Sequence, residues 1–395
     1  MMFDTFTNAR LAHVAGKPTG GQAAHTVLSD QDFAASWAEI TAWPGYAPTP
    51  LVALTDLARN LGLARIDYKH EGPRFGLGSF KALGGSYAAM RVLQRELSNR
   101  LGREVSLEEI RSGALRDECA KVTLVSATDG NHGRSLAWGS QMVGAPCRIY
   151  IHAEVSEGRA SAMRDLGAEV IRIDGDYDAS VALARDEAEE NGWFVVSDTS
   201  WEGYTEPPRD VMAGYGVMTR EACEAQEQAP THVFLQGGVG GLAASVVAAL
   251  RQFYGDAAPR VVIVEPELAA CLYESARQGA ATAVPIDEET IMAGLSCGEP
   301  SEMAWEILAE EAADFLTIPD NIVAPTVRLL AQGSPKVEAG ESAVAGLAAV
   351  IAACQDADLR AKLGLDARAR VLLIGSEGVT DPDIFAAIMA GADHV

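Results

Sequence analysis

The sequence predicts an α/β protein built from two open, twisted, mostly parallel-sheet domains. Short runs rich in Val and Ile alternate with amphipathic stretches; the alternation breaks once, around "YTEPPRD" (204–210), and then resumes. With 395 residues and 48% hydrophobic content, the chain is long enough to bury two cores.

Four strands are expected before the break: "KVTLVSA" (121–127), "CRIYIHA" (147–153), "EVIRI" (169–173) and "WFVVSD" (193–198). Between them, "EGRASAMRDLGA" (157–168) and "DASVALARDEAEENG" (178–192) have helical spacing and end near Gly or Ala. Strand, helix, strand at this spacing implies a parallel sheet. After the break, "THVFLQ" (231–236), "RVVIVEPE" (260–267) and "RVLLIGSEG" (370–378) read as buried strands of a second sheet. The expected division is 1–88 with 204–395 as a large domain and 89–203 as a small one.

Charge and composition narrow the function. The 55 acidic and 31 basic residues give a net charge of −24, which repels phosphate backbones and anionic lipid, so neither nucleic acid nor membrane is an expected partner. Six scattered cysteines form no CxxC pair, and no metal site is expected. The apolar run "SAVAGLAAVIAAC" (342–354) has the length of a buried helix rather than a span. The N-terminus lacks a basic stretch followed by an apolar core, and a cytoplasmic protein is expected.

Three motifs carry the chemistry. In "FLQGGVGGLAASVVAAL" a strand leads through Gly237, Gly238, Val239, Gly240 and Gly241 into a helix, an arrangement whose N–H groups and dipole favour a phosphate. A tight turn needing positive φ would use the same residues. No GK[ST] follows, so this is not a Walker loop. In "RFGLGSFKALGGSYAAM" (74–90) Lys81 stands among small residues, where an amine that loses its proton becomes a nucleophile; a solvated helix lysine is the plain alternative for Lys81 alone. Lysine with a phosphate cradle points to pyridoxal phosphate held as a Schiff base. The third motif, "SATDGNHGRSLAWGSQ" (126–141), places Asp129, Asn131 and His132 after a strand end; an Asx turn is the plain alternative, and His132 reads as structural.

Together, in this order, the motifs resemble the fold-type II pyridoxal-phosphate enzymes from about residue 45 to the C-terminus. The resemblance implies a cofactor in the cleft between the two domains. It also implies that Phe80 stacks near the cofactor ring, Lys81 forms the Schiff base, Asn131 meets the ring hydroxyl, residues 237–241 hold the phosphate, and Ser376 in "LLIGSEGVTD" meets the pyridine nitrogen, with Thr380 as a weaker alternative. Where dehydratases of this group carry a serine-rich loop, this chain has Thr128-Asp129-Gly130-Asn131-His132, and a second acid, Asp198, follows a strand in "SDTSWEGYTEPPRD". With "DTSWEGY" and "IMAGLSCGEPSEMAW", this is similar to the diaminopropionate ammonia-lyase family. That likeness implies elimination from 2,3-diaminopropionate of either hand, with Lys81 the base for the L isomer, Asp129 the base for the D isomer and Asp198 binding the substrate. It further implies a homodimer and a disulfide between Cys271 and Cys297. A serine or threonine dehydratase is the alternative within the class, and a non-catalytic cofactor carrier the alternative outside it.

Overall fold

A computed structural model describes residues 3–128 and 130–393, the side chain of residue 178 excepted. Its strands are β1 (Ala12–Ala15), β2 (Leu51–Ala53), β3 (Arg65–His70), β4 (Leu124–Ala127), β5 (Cys147–Ile151), β6 (Glu169–Arg172), β7 (Phe194–Val195), β8 (His232–Gln236), β9 (Arg260–Pro266), β10 (Asp314–Ile318) and β11 (Arg370–Gly375). All seven strands expected from the sequence are present. The chain forms two compact units.

One unit comprises Gln31–Ala47 and Phe80–Val217 and holds the four-stranded parallel sheet β6-β5-β4-β7. Its principal helices are α1 (Lys81–Leu101), α2 (Asn131–Val143), α3 (Tyr177–Asn191) and α4 (Glu206–Ala225). The borders expected at 89 and 203 differ from these because α1 and the start of α4 pack with the small sheet. Glycines make that packing close. A Cβ on Gly84 would lie 2.3 Å from the Tyr215 ring, one on Gly214 2.5 Å from the Leu83 carbonyl oxygen, and one on Gly139 2.7 Å from Ser86 Cα. The segment from Gln31 joins them: the Ser36 hydroxyl donates to Ala213 O at 2.7 Å, and Trp43 meets Trp138 edge-on at 5.7 Å.

The other unit comprises Met1–Asp30, Pro48–Ser79 and Met218–Val395, around a seven-stranded sheet of order β1-β10-β9-β8-β11-β3-β2. The five inner strands are parallel; β1 and β2 close the edges antiparallel. Helices here include α5 (Gly241–Tyr254), α6 (Cys271–Gln278) and α7 (Ala345–Gln355). Every residue of α7 from Ala345 to Ala353 is buried, as the apolar run predicted. No single helix among the described residues is long and apolar enough to cross a membrane.

This unit also buries charge. Arg74 donates from Nη1 and Nη2 to Glu221 at 2.8 Å each and from Nε to Glu71 at 2.8 Å; Lys69 Nζ donates to Glu221 at 2.6 Å and to Thr49 O at 2.7 Å. All four charged side chains are at most 5% exposed. Two cations balance two anions, and the remaining donors find oxygens. Beyond Arg74 the chain continues to Gly78 and Ser79, which pair with Gly378 and Glu377 at the end of β11. The next residues in sequence are Phe80 and Lys81.

Candidate active site

In the four-stranded unit the lysine motif is a helix start. Lys81 is the first residue of α1, and the small residues after it allow the approach of α2 and α4. Its ammonium pairs with the Asp198 carboxylate and lies 5.4 Å from the Phe80 ring centre and 5.8 Å from that of Tyr215. Phe80 itself packs against Tyr215, centroids 4.5 Å apart. His132, on the first turn of α2, puts Nδ1 4.0 Å from Asp198 and has its other nitrogen 2.9 Å from Val196 O. Burial opposes the charged form of Asp198, yet the charge of Lys81 holds its carboxyl well below the ordinary range. Burial pulls His132 down, so it stays neutral, in keeping with a structural role. Lys81, Phe80, His132 and Asp198 therefore come together, and Asn131 stands beside them as the first residue of α2. Asp129 lies outside the described residues.

In the seven-stranded unit the glycine motif joins the carboxyl end of β8 to α5. Gly238 and Gly240 take φ of +61° and +96°, as a tight turn requires. Gly237 N–H donates to Val264 O, and Gly240 N–H donates back to Gly237 O; those of Gly238, Val239 and Gly241 have no acceptor among the described residues. They stand at the uncapped N-terminus of a fourteen-residue helix. Ser376 follows the neighbouring parallel strand β11, and its hydroxyl accepts from Gln236 Nε2 at 3.2 Å. Its own hydrogen is thereby left to donate to an acceptor. Thr380 lies four residues further on, clear of the strand end.

Residues 42–377 match the family described as pyridoxal-phosphate dependent enzyme. The chain belongs to that family. Among its relatives, the diaminopropionate ammonia-lyase of Escherichia coli (strain K12) is 40% identical over 360 residues, 89% of each chain. The solved structure of the holo diaminopropionate ammonia lyase from Escherichia coli superposes with a TM-score of 0.89 at 35% identity, covering 98% of both chains. The same enzyme in complex with an aminoacrylate-PLP azomethine reaction intermediate gives 0.88 at the same identity and coverage.

The residues of this pyridoxal-phosphate enzyme fit the cofactor on their own chemistry. Unclaimed N–H groups at a helix start suit its phosphate, a hydroxyl with a hydrogen to give suits its ring nitrogen, and the amine of Lys81 suits its carbonyl carbon.

Glu265 was not foreseen. It sits beneath the glycine loop, where a Cβ on Gly237 would meet its Cγ at 2.5 Å, and it accepts from the N–H groups of Leu272 and Tyr273 at 2.9 and 2.7 Å. Burial pushes its carboxyl up to about 8 against those two bonds. Below that pH the group is neutral and does not oppose a phosphate; above it, a buried negative charge does. Cofactor affinity is therefore expected to fall roughly tenfold as pH rises through this value, and Glu265→Gln should flatten the profile. The dissociation constant of pyridoxal phosphate, measured on either side of pH 8 for both proteins, checks this.

The two cysteines of the implied disulfide stand near one another. No bridge joins Cys271 to Cys297. The Cys271 thiol is buried and directs its hydrogen toward Gly238 O at 3.5 Å and Glu265 Oε1 at 3.7 Å. Burial, then the nearby Glu265, pushes it up, away from the thiolate that oxidation requires.

Tyr215 was also missed. The signal was present in "AGYGV" (213–217), where glycines flank an aromatic residue as they follow Lys81 in "LGGSY".

Proposed function

We infer that this pyridoxal-phosphate-dependent lyase eliminates ammonia from 2,3-diaminopropionate, yielding pyruvate and two ammonia molecules. The Lys81–Asp198 pair carries the reading: a lysine amine and a carboxylate placed for a second cation stand in one cluster. The similarity to diaminopropionate ammonia-lyases along 89% of the chain supports it.

When bound, pyridoxal phosphate draws off the electron pair released at the substrate's Cα. Residues 237–241 would hold its phosphate, Ser376 its ring nitrogen, Asn131 its ring hydroxyl and Phe80 its ring face. Lys81 would hold it covalently and, with substrate bound, would accept the Cα proton of the L isomer. Asp129 accepts the Cα proton of the D isomer. Asp198 keeps the β-ammonium protonated, so the Cβ–N bond breaks with ammonia as the leaving group. The unsaturated amine that remains takes up water to give pyruvate and the second ammonia. The family resemblance alone supports a homodimer working on a free amino acid.

Initial rates of pyruvate release from both isomers of 2,3-diaminopropionate, beside serine and threonine, test the substrate. Faster turnover of serine or threonine would make the protein a dehydratase. The proton assignment has its own test. Because a lysine reaches one face only, Asp129→Asn is expected to slow the D isomer by on the order of 10² to 10⁴ and to spare the L isomer. Equal losses for both would remove the second base.

A further inference from the structure

The segment that delivers Asp198 is a half-buried sheet edge with a tyrosine in place of a neighbouring strand. Among the described residues β7 pairs with β4 alone: Phe194 N–H donates to Thr123 O and Val196 N–H to Val125 O. Successive residues of a strand turn their backbone groups to opposite sides, so those of Val195 and Ser197 face away from the sheet. Both are taken by one hydroxyl. Tyr204 donates to Val195 O at 2.9 Å and accepts from Ser197 N–H at 3.0 Å. Between these points, His132 Nε2 lies 2.9 Å from Val196 O. Three consecutive residues before Asp198 are thus fixed from two directions.

The tyrosine is itself held. Trp201 and Tyr204 form a two-way backbone bridge across a tight turn at Glu202 and Gly203, whose glycine takes φ of +81°. Their rings stack at 4.0 Å and 10°, and the Arg185 guanidinium of α3 covers the far face of the stack, 3.7 Å from the Trp201 centroid. Burial keeps the phenol protonated, so the bond to Val195 persists across the working range of pH.

We propose that Tyr204, braced by Trp201 and Arg185, is a positioning residue for Asp198 and so sets the enzyme's preference for substrates with a cationic β-substituent. The proposal rests on the role given above to Asp198. A carboxylate one residue beyond a clamped strand end keeps its reach toward a β-ammonium; released, it retains its charge and loses its place. Substrates with a neutral β-hydroxyl do not depend on it.

The test uses the holoenzyme and four proteins: wild type, Tyr204→Phe, Asp198→Asn and the double variant. KM and kcat are measured with L-2,3-diaminopropionate, and the inhibition constant of L-serine is measured against it. Tyr204→Phe keeps the ring stack and loses both hydrogen bonds. It is expected to raise KM about tenfold, the worth of one or two such bonds, to change kcat less, and to leave the serine constant unmoved. In the Asp198→Asn background it should add nothing. An unmoved KM, a serine constant that rises in step, or a full effect persisting without the Asp198 carboxylate each overturns the positioning role. Asp198→Asn alone separates the two ideas, because an unmoved KM there would remove the cation-holding role of Asp198 instead. Should Tyr204→Phe not fold, Trp201→Leu, which removes the stacked ring and leaves the hydroxyl, is judged by the same constants.

Discussion

Lys81→Ala is expected to lose elimination from both isomers while folding as the wild type does. Alanine is the best helix former, and position 81 opens a helix whose buried face is made by the residues that follow, from Ala82 to Leu97. What disappears is the amine. Its loss removes the covalent hold on the cofactor and the base for the L isomer, and base assistance alone is worth on the order of 10² to 10⁴ in rate. Asp198 also loses the cation that holds its carboxyl low against burial, so it is expected to take up a proton more readily and to grip a β-ammonium less well. Single-turnover rates, circular dichroism and the visible spectrum of the cofactor together check this. Elimination retained at wild-type speed would contradict the role of Lys81.

Glu221→Ala is expected to destabilise the seven-stranded unit by about 3–5 kcal/mol, the cost of stranding buried charge. The carboxylate receives three of the hydrogen bonds made by Arg74 and Lys69, and both cations are 1% exposed. Burial works against the charged carboxylate, and the hydrogen bonds and charge of Arg74, followed by Lys69, hold its pKa down nonetheless. Without it, two positive charges face the single anion Glu71. Urea unfolding should show a lower midpoint with little change in slope. A loss under about 1 kcal/mol, the value of a surface pair, would mean that water reaches the cluster.

The same cluster explains what the sequence concealed. β3 reads "RIDYKH", and its charged residues disguise a strand in which Asp67 is buried beneath the exposed Arg65 and Lys69 is buried with Glu221. β1 and β2 are edge strands of four and three residues, too short for a periodic signal, and β10 begins with Asp314, buried against Arg260 and His13. By contrast, β4, β5, β8, β9 and β11 are dominated by buried apolar residues and were legible from hydropathy alone.

At the site, Lys81 and the glycine loop were legible because close backbone approach demands small residues at fixed positions. Asp198 was found by its place after a strand. Tyr215, Tyr204 and Glu265 meet their neighbours only in the fold. For the same reason the unit borders were not readable: residues 31–47 join the small sheet through contacts with α2 and α4, far away in sequence.

We propose that Lys81 is the lysine that carries the cofactor. Borohydride reduction of the yellow holoenzyme followed by peptide mapping addresses it directly. The reduced pyridoxyl group is expected on the peptide containing "SFKALGGSY", attached to Lys81. Finding it on another lysine, with Lys81 unmodified, would remove Lys81 from that role.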